Sequence, residues 1–154
     1  MAISTKSKRR ESSKPKQRWD IAVHLIVRGF EEPAERISAT LQLKPSSVWR
    51  AGEPVYLPEG HKHKDNGWRL TAPCPRSAPL QEHLNALIAE VKNAAPRFQD
   101  LPKNTEVYVF CGITDYERTV DLSFPPGVTA LAGRIGAGIH ISYYDLSDVP
   151  AESV

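Results

Sequence analysis

An α+β domain, with an antiparallel or mixed sheet and helices packed mainly on one face, is predicted by three features of the chain. Stretches of period-two alternation are interleaved with helical-period stripes, in the order β-α-β-β-α-β and then β-α-β. Proline or glycine punctuates nearly every junction between them. The length, 154 residues, suits one domain whose core needs no disulfide or metal staple.

The strongest strand runs from Trp19 to Arg28. Trp19, Ile21, Val23, Leu25 and Val27 share one face; Asp20, Ala22, His24, Ile26 and Arg28 share the other. Gly29 ends it. A helix follows with Pro33 in its first turn, acidic residues near its positive end and a buried stripe of Ala34, Ile37 and Leu41. Pro45 is expected to mark its end, because the residue before a proline is driven out of the α region.

Leu43 to Trp68 reads as a crossover and hairpin joining two similar halves. Ser46–Arg50 is a short strand or extended turn broken by Gly52. Val55, Tyr56 and Leu57 are a second extended piece, and Asn66-Gly67 carries a hairpin-type turn signal. Trp68, Leu70 and Ala72 alternate as the next strand, and Pro73, Pro75 and Pro79 make a stiff connector after it. Ser77 is a candidate cap for the clearest helix, whose apolar face is Leu80, Leu84, Leu87, Ile88 and Val91. Pro96 ends or kinks it.

Glu106–Ile113 is apolar on both faces, as in a central strand. Val120, Leu122 and Phe124 alternate with polar residues as a strand with one wet face. A short helix carries Val128, Leu131, Ala132 and Ile135, with Gly136 as its left-handed cap. Ile139, Ile141 and Tyr143 then alternate with His140, Ser142 and Tyr144 in a last strand. The first six elements have the order of a ferredoxin-like split βαβ unit.

Composition bounds function mainly by exclusion. No apolar run approaches the ~18–20 residues that span a bilayer, and no apolar segment follows the N-terminal charges as in a secretory signal. Cys74 and Cys111 belong to no CxxC motif, so two reduced thiols and a cytoplasmic location are expected. The net charge of +2 hides an asymmetry: residues 1–18 hold seven Lys/Arg, leaving 13 basic and 17 acidic residues beyond them. The expected organisation is a disordered basic tail over 1–18, one domain over 19–146 and a flexible end over 147–154.

The elements carry a resemblance. Gly29, Pro33, Ile37 and Leu41 begin a pattern that continues through Leu43-x-Pro45, Trp49-Arg50-x-Gly52 and Gly67-Trp68. Leu80-x-x-His83-Leu84, Leu131 and Gly138-Ile139-His140-Ile141 complete it. Over roughly Ile21 to Tyr144 the chain resembles the DUF4279 domain, a family of small bacterial proteins of unknown function. The resemblance supports the fold and implies no activity.

Few constellations suggest chemistry. His61 and His63 flank Lys62 at a hairpin tip, but zinc takes three or four ligands and the lysines repel a cation, so no metal site and no cofactor are expected. His83 lies one position off its helix's apolar stripe and reads as a half-buried packing residue. Nucleophile motifs are absent, and Gly133, Gly136 and Gly138 follow a helix where a phosphate loop would precede one. His24 and His140, each on the polar face of a strand, form with Asp121 a candidate acid/base group. Trp49-Arg50 and Trp68-Arg69 pair aromatics with guanidinium groups, a combination that stacks bases or holds a peptide carboxylate; core or rim packing is the plainer alternative.

The function expected from these features is a non-enzymatic protein-binding module of immunity or regulator type, with Trp49, Arg50, Trp68, Arg69, His24 and His140 as binding residues. Two alternatives stay open. One is nucleic-acid binding, with Lys8, Arg9 and Arg10 of the tail holding phosphates. The other is a small-ligand enzyme using His24, His140 and Asp121.

Overall fold

A computed structural model of the chain describes residues 17–55 and 60–149. Among these residues five strands form one mixed sheet, accompanied by three α-helices and a 3-10 helix. The strands are β1 (Trp19–Arg28), β2 (Ser47–Trp49), β3 (Gly67–Thr71), β4 (Glu106–Asp115) and β5 (Gly138–Asp145). The α-helices are α1 (Ala34–Leu41), α2 (Leu80–Val91) and α3 (Pro126–Ile135), and the 3-10 helix (Lys92–Asp100) continues α2. The sheet order is β2-β3-β1-β4-β5. Every pairing is antiparallel except β4 with β5, which is parallel and closed by the α3 crossover.

The alternation of β1 decides which face is buried. Ile21, Val23, Leu25 and Val27 enter one core with Trp68 and Leu70 of β3 and Val109, Cys111 and Ile113 of β4. Ile37 and Leu41 of α1, Leu84, Leu87 and Val91 of α2, and Leu131 and Ile135 of α3 cover that face. The helices take one side of the sheet, as an antiparallel-type sheet with one covered face requires.

Several boundaries differ from the sequence pattern, each for a local reason. Helix α1 stops at Leu41, before Pro45 acts, because Gln42 adopts a left-handed conformation (φ 54°) and Leu43 N–H returns to the Ser38 carbonyl. Asn66-Gly67 is no tight turn between strands; the Asn66 amide accepts from Ala51 N–H and donates to the Phe30 carbonyl, while Gly67 opens β3. Ser77 does not cap α2, which begins after Pro79; the carbonyl of Ser77 instead accepts from the Trp19 indole. Pro96 lies inside the 3-10 helix, whose bonding tolerates it.

Residues 119–124 are not a strand. The buried Asp115 carboxylate accepts from the backbone of Glu117, Thr119 and Val120, turning the chain off β4 with Arg118 left-handed at φ 53°. The segment continues as a connector, with Val120 and Phe124 on the core and Gln81 of α2 donating to the Asp121 and Ser123 carbonyls. Tyr56 and Leu57, the basic residues up to Lys16 and the last five residues lie outside the described residues.

Candidate functional site

The uncovered side of the sheet is built from the alternate residues of the same strands. Antiparallel register sets Thr71, His24 and Phe110 in one row across β3, β1 and β4, and parallel pairing extends that row to His140 on β5. The next row holds Ser47, Arg69, Ile26 and Tyr108. A third places Trp49 beside Gly67, then Arg28 and Glu106. Main-chain pairing thus spreads rings and guanidinium groups over all five strands, with no helix above them among the described residues.

These side chains organise one another. The Tyr108 and His140 rings stack at 4.4 Å between centroids, and the Arg28 guanidinium lies 5.3 Å from the Tyr108 ring, a cation–π distance. Arg28 also pairs with Glu106 at 2.6 Å. His24 runs parallel to Phe110 at 6.2 Å and its Nδ1 is 3.0 Å from Thr71 Oγ1. Arg69 Nε donates to Ser47 Oγ at 2.9 Å. Trp49 lies flat on Gly67, with the His63 ring stacked on it at 5.0 Å. Burial, then the charges of Arg69, Arg76 and His83, lower the His24 pKa to about 4, so its ring is neutral at neutral pH.

The structure separates the residues that the sequence grouped. Trp49, Arg69, His24 and His140 share the open face. Trp68 points the other way: it is 0% exposed and donates its indole N–H to Ser38 Oγ at 3.0 Å, so it is a core residue and presents nothing to a partner. Arg50 is exposed just beyond β2 and lines a hollow of about 330 Å³ that also holds Glu31, Glu32 and Glu35. Lys8, Arg9 and Arg10 lie outside the described residues.

The acid/base grouping does not assemble. Two strand spacings, roughly 10 Å, and the Phe110 ring separate His24 from His140. Asp121 sits on the helix side, lining a small crevice with Trp19 and Leu80. Among the described residues no group of three His, Cys, Asp or Glu side chains is placed to hold a metal. Cys111 is buried in β4, and burial pushes its thiol up to about 11; burial raises the Cys74 thiol as well, so neither is a ready nucleophile.

Sequence reasoning missed Tyr108, Phe110, Arg28 and His63. The signal for the first three was parity: Tyr108 and Phe110 alternate with the core residues Val107 and Val109, as Arg28 does with Val27. Two-sided apolarity masked it, since it suggested a strand covered on both faces. No helix among the described residues is long and apolar enough to cross a membrane.

No curated protein and no solved structure matches the chain. The family model described as a domain of unknown function, DUF4279, matches residues 18–146, a span that contains all five strands and all three α-helices. The chain therefore belongs to the DUF4279 family.

Proposed function

We propose that this chain is a non-enzymatic interaction module, of immunity or regulator type, whose open sheet face docks a protein partner. The observation that carries the reading is the set of three stacked ring pairs, Trp49 with His63, His24 with Phe110 and Tyr108 with His140, spread across the face of the sheet opposite the helices. Tyrosine, tryptophan and arginine are the residues that concentrate binding energy at protein interfaces. Arg28 is tied to Glu106 and Arg76 to Asp20, so of the arginines on this face only Arg69 has no carboxylate partner among the described residues. With 17 acidic against 13 basic residues beyond position 18, that balance favours a protein over a polyanion.

The same reading takes the first four strands as a ferredoxin-like unit extended by β5. Its support is the order β4-β1-β3-β2 with every pairing antiparallel. A cytoplasmic location belongs to the proposal too, supported by the unpaired thiols of Cys74 and Cys111.

Crosslinked affinity capture from the native host tests the reading, comparing wild type with a Tyr108→Ala/His140→Ala variant of matched stability. The expected result is a specific protein recovered by wild type at both low and high salt, and lost with the variant. Recovery of nucleic acid alone, or identical recovery with both chains, overturns it.

A further inference from the structure

Where β3 ends, two prolines open the sheet. Ala72 N–H still reaches the Val23 carbonyl, but Pro73 and Pro75 have no N–H to offer, and Cys74 N–H folds back on the Ala72 carbonyl. The chain rejoins β1 only at Arg76, whose carbonyl accepts from Ile21 N–H. The gap so formed is a cavity of about 320 Å³, within the size range of small-ligand pockets.

Its polar lining is cationic or donor-rich: Arg69 and Arg76, His24 and His83, and Thr71. Each guanidinium is held by its Nε alone, Arg69 on Ser47 Oγ and Arg76 on Asp20 Oδ1. Among the described residues neither has a hydrogen bond from its terminal nitrogens, which leaves those donors for a ligand. His83 rises into the cavity from the first turn of α2. It is 1% exposed, with both ring nitrogens sealed from solvent and the carbonyls of Ala78 and Pro75 close to them.

The geometry points to a binding site for a phosphoryl group, with Arg69 and Arg76 supplying charge-assisted bonds, His24 supplying a ring N–H donor and His83 forming part of the wall. The donor set is larger than a carboxylate's two oxygens use and matches the terminal oxygens of a phosphate monoester. Asp20 does not line the cavity, and its charge is offset by Arg76 at 2.6 Å. Burial first, then the charges of Arg69, Arg76 and His83, keep His24 neutral, and a dianion would offset those charges. The site goes beyond the docking proposal: Tyr108 and His140 are not needed for it, and it would serve a free phosphate or one carried on a partner.

The test titrates the full chain with inorganic phosphate at constant ionic strength, following the ring resonances of His24 and His83 by NMR. Acetate is the comparison anion, and phenyl phosphate reports whether a monoester enters. The expected result is saturable shifts of both rings with phosphate and phenyl phosphate, and at least tenfold weaker binding of acetate. Arg69→Gln and Arg76→Gln should each weaken phosphate binding about tenfold while thermal melting stays within a few degrees of wild type. Arg76 is exposed, so its variant remains informative if Arg69→Gln perturbs the sheet. Linear, unsaturable shifts, or equal affinity in wild type and Arg76→Gln, overturn the site. Loss of phosphate binding with partner capture intact would remove this inference alone.

Discussion

The indole of Trp49 occupies the space that a side chain at Gly67 would need. A Cβ at position 67 would lie 1.9 Å from two indole carbons, a distance no rearrangement short of moving the ring relieves. Gly67 is thus required by packing rather than by backbone conformation, and β2, only three residues long, is held to the sheet partly by this contact. Gly67→Ala should lower stability by about 1–3 kcal/mol, the usual range for overpacking. In a Trp49→Ala background the same change should cost almost nothing, giving a large coupling in a double-mutant cycle. Urea denaturation of the four chains measures it; strictly additive losses would count against the contact.

Asp115 is the second point at which one side chain organises a segment. Its carboxylate is fully buried and accepts from Glu117, Thr119 and Val120 N–H and from the Tyr143 hydroxyl at 2.9 Å. Burial alone would raise its pKa, but the four donors outweigh it and hold the carboxyl below its ordinary value. Asp115→Asn turns an amide NH₂ toward those donors and should cost about 2–3 kcal/mol. Because the native pKa is depressed, the wild-type advantage is complete above the unfolded value, near 3.9 for Asp, and disappears as pH falls through the native one. Comparing denaturation midpoints at pH 7 and pH 3 should show the two chains converging in acid.

Much of the fold was legible because its signals are local. The bounds of β1, its two faces, the stripe of α2 and the Gly136 cap are set by alternation, spacing and backbone chemistry within a few residues. Residues 119–124 mimic a strand because alternation records only apolar periodicity; the connector sets Val120 and Phe124 on the core while Leu122 is exposed. The site was less legible, since which residues share a face across strands depends on register. Trp49 and Trp68 look alike in sequence, each followed by arginine, yet Val48 pairs with Trp68 and Trp49 with Gly67, which sends the two indoles to opposite sides.

That difference has its own consequence. Trp68 is sealed in the core with its N–H on Ser38 Oγ, whereas Trp49 is half-buried on the open face. Trp68→Phe should cost about 1–3 kcal/mol through lost volume and the lost indole hydrogen bond to Ser38, and should remove the emission component that acrylamide cannot quench. Trp49→Phe should leave that component in place. Steady-state quenching of the two single variants decides the assignment, and equal loss of protected emission would contradict it.

His24 gives the open face a pH dependence whose direction can be worked out. Burial first, then Arg69, Arg76 and His83, lower its native pKa to about 4, against an unperturbed value of 6.5. The unfolded chain therefore binds the proton before the native one does, and stability drops as pH falls from about 6.5 toward 4. Above 6.5 the ring is neutral in both states and contributes no pH dependence. His83 is shifted the same way by burial and adds to the effect. His24→Gln keeps a polar group beside Thr71 Oγ1 and removes one titration, so its urea midpoint should fall less between pH 7 and pH 5 than that of wild type. Carboxylates titrate in both chains over that interval, so the difference between the two slopes isolates the imidazole. Parallel losses in the two chains would mean that the native ring titrates near its ordinary value, and that the arginines around it are better screened by solvent than their placement indicates.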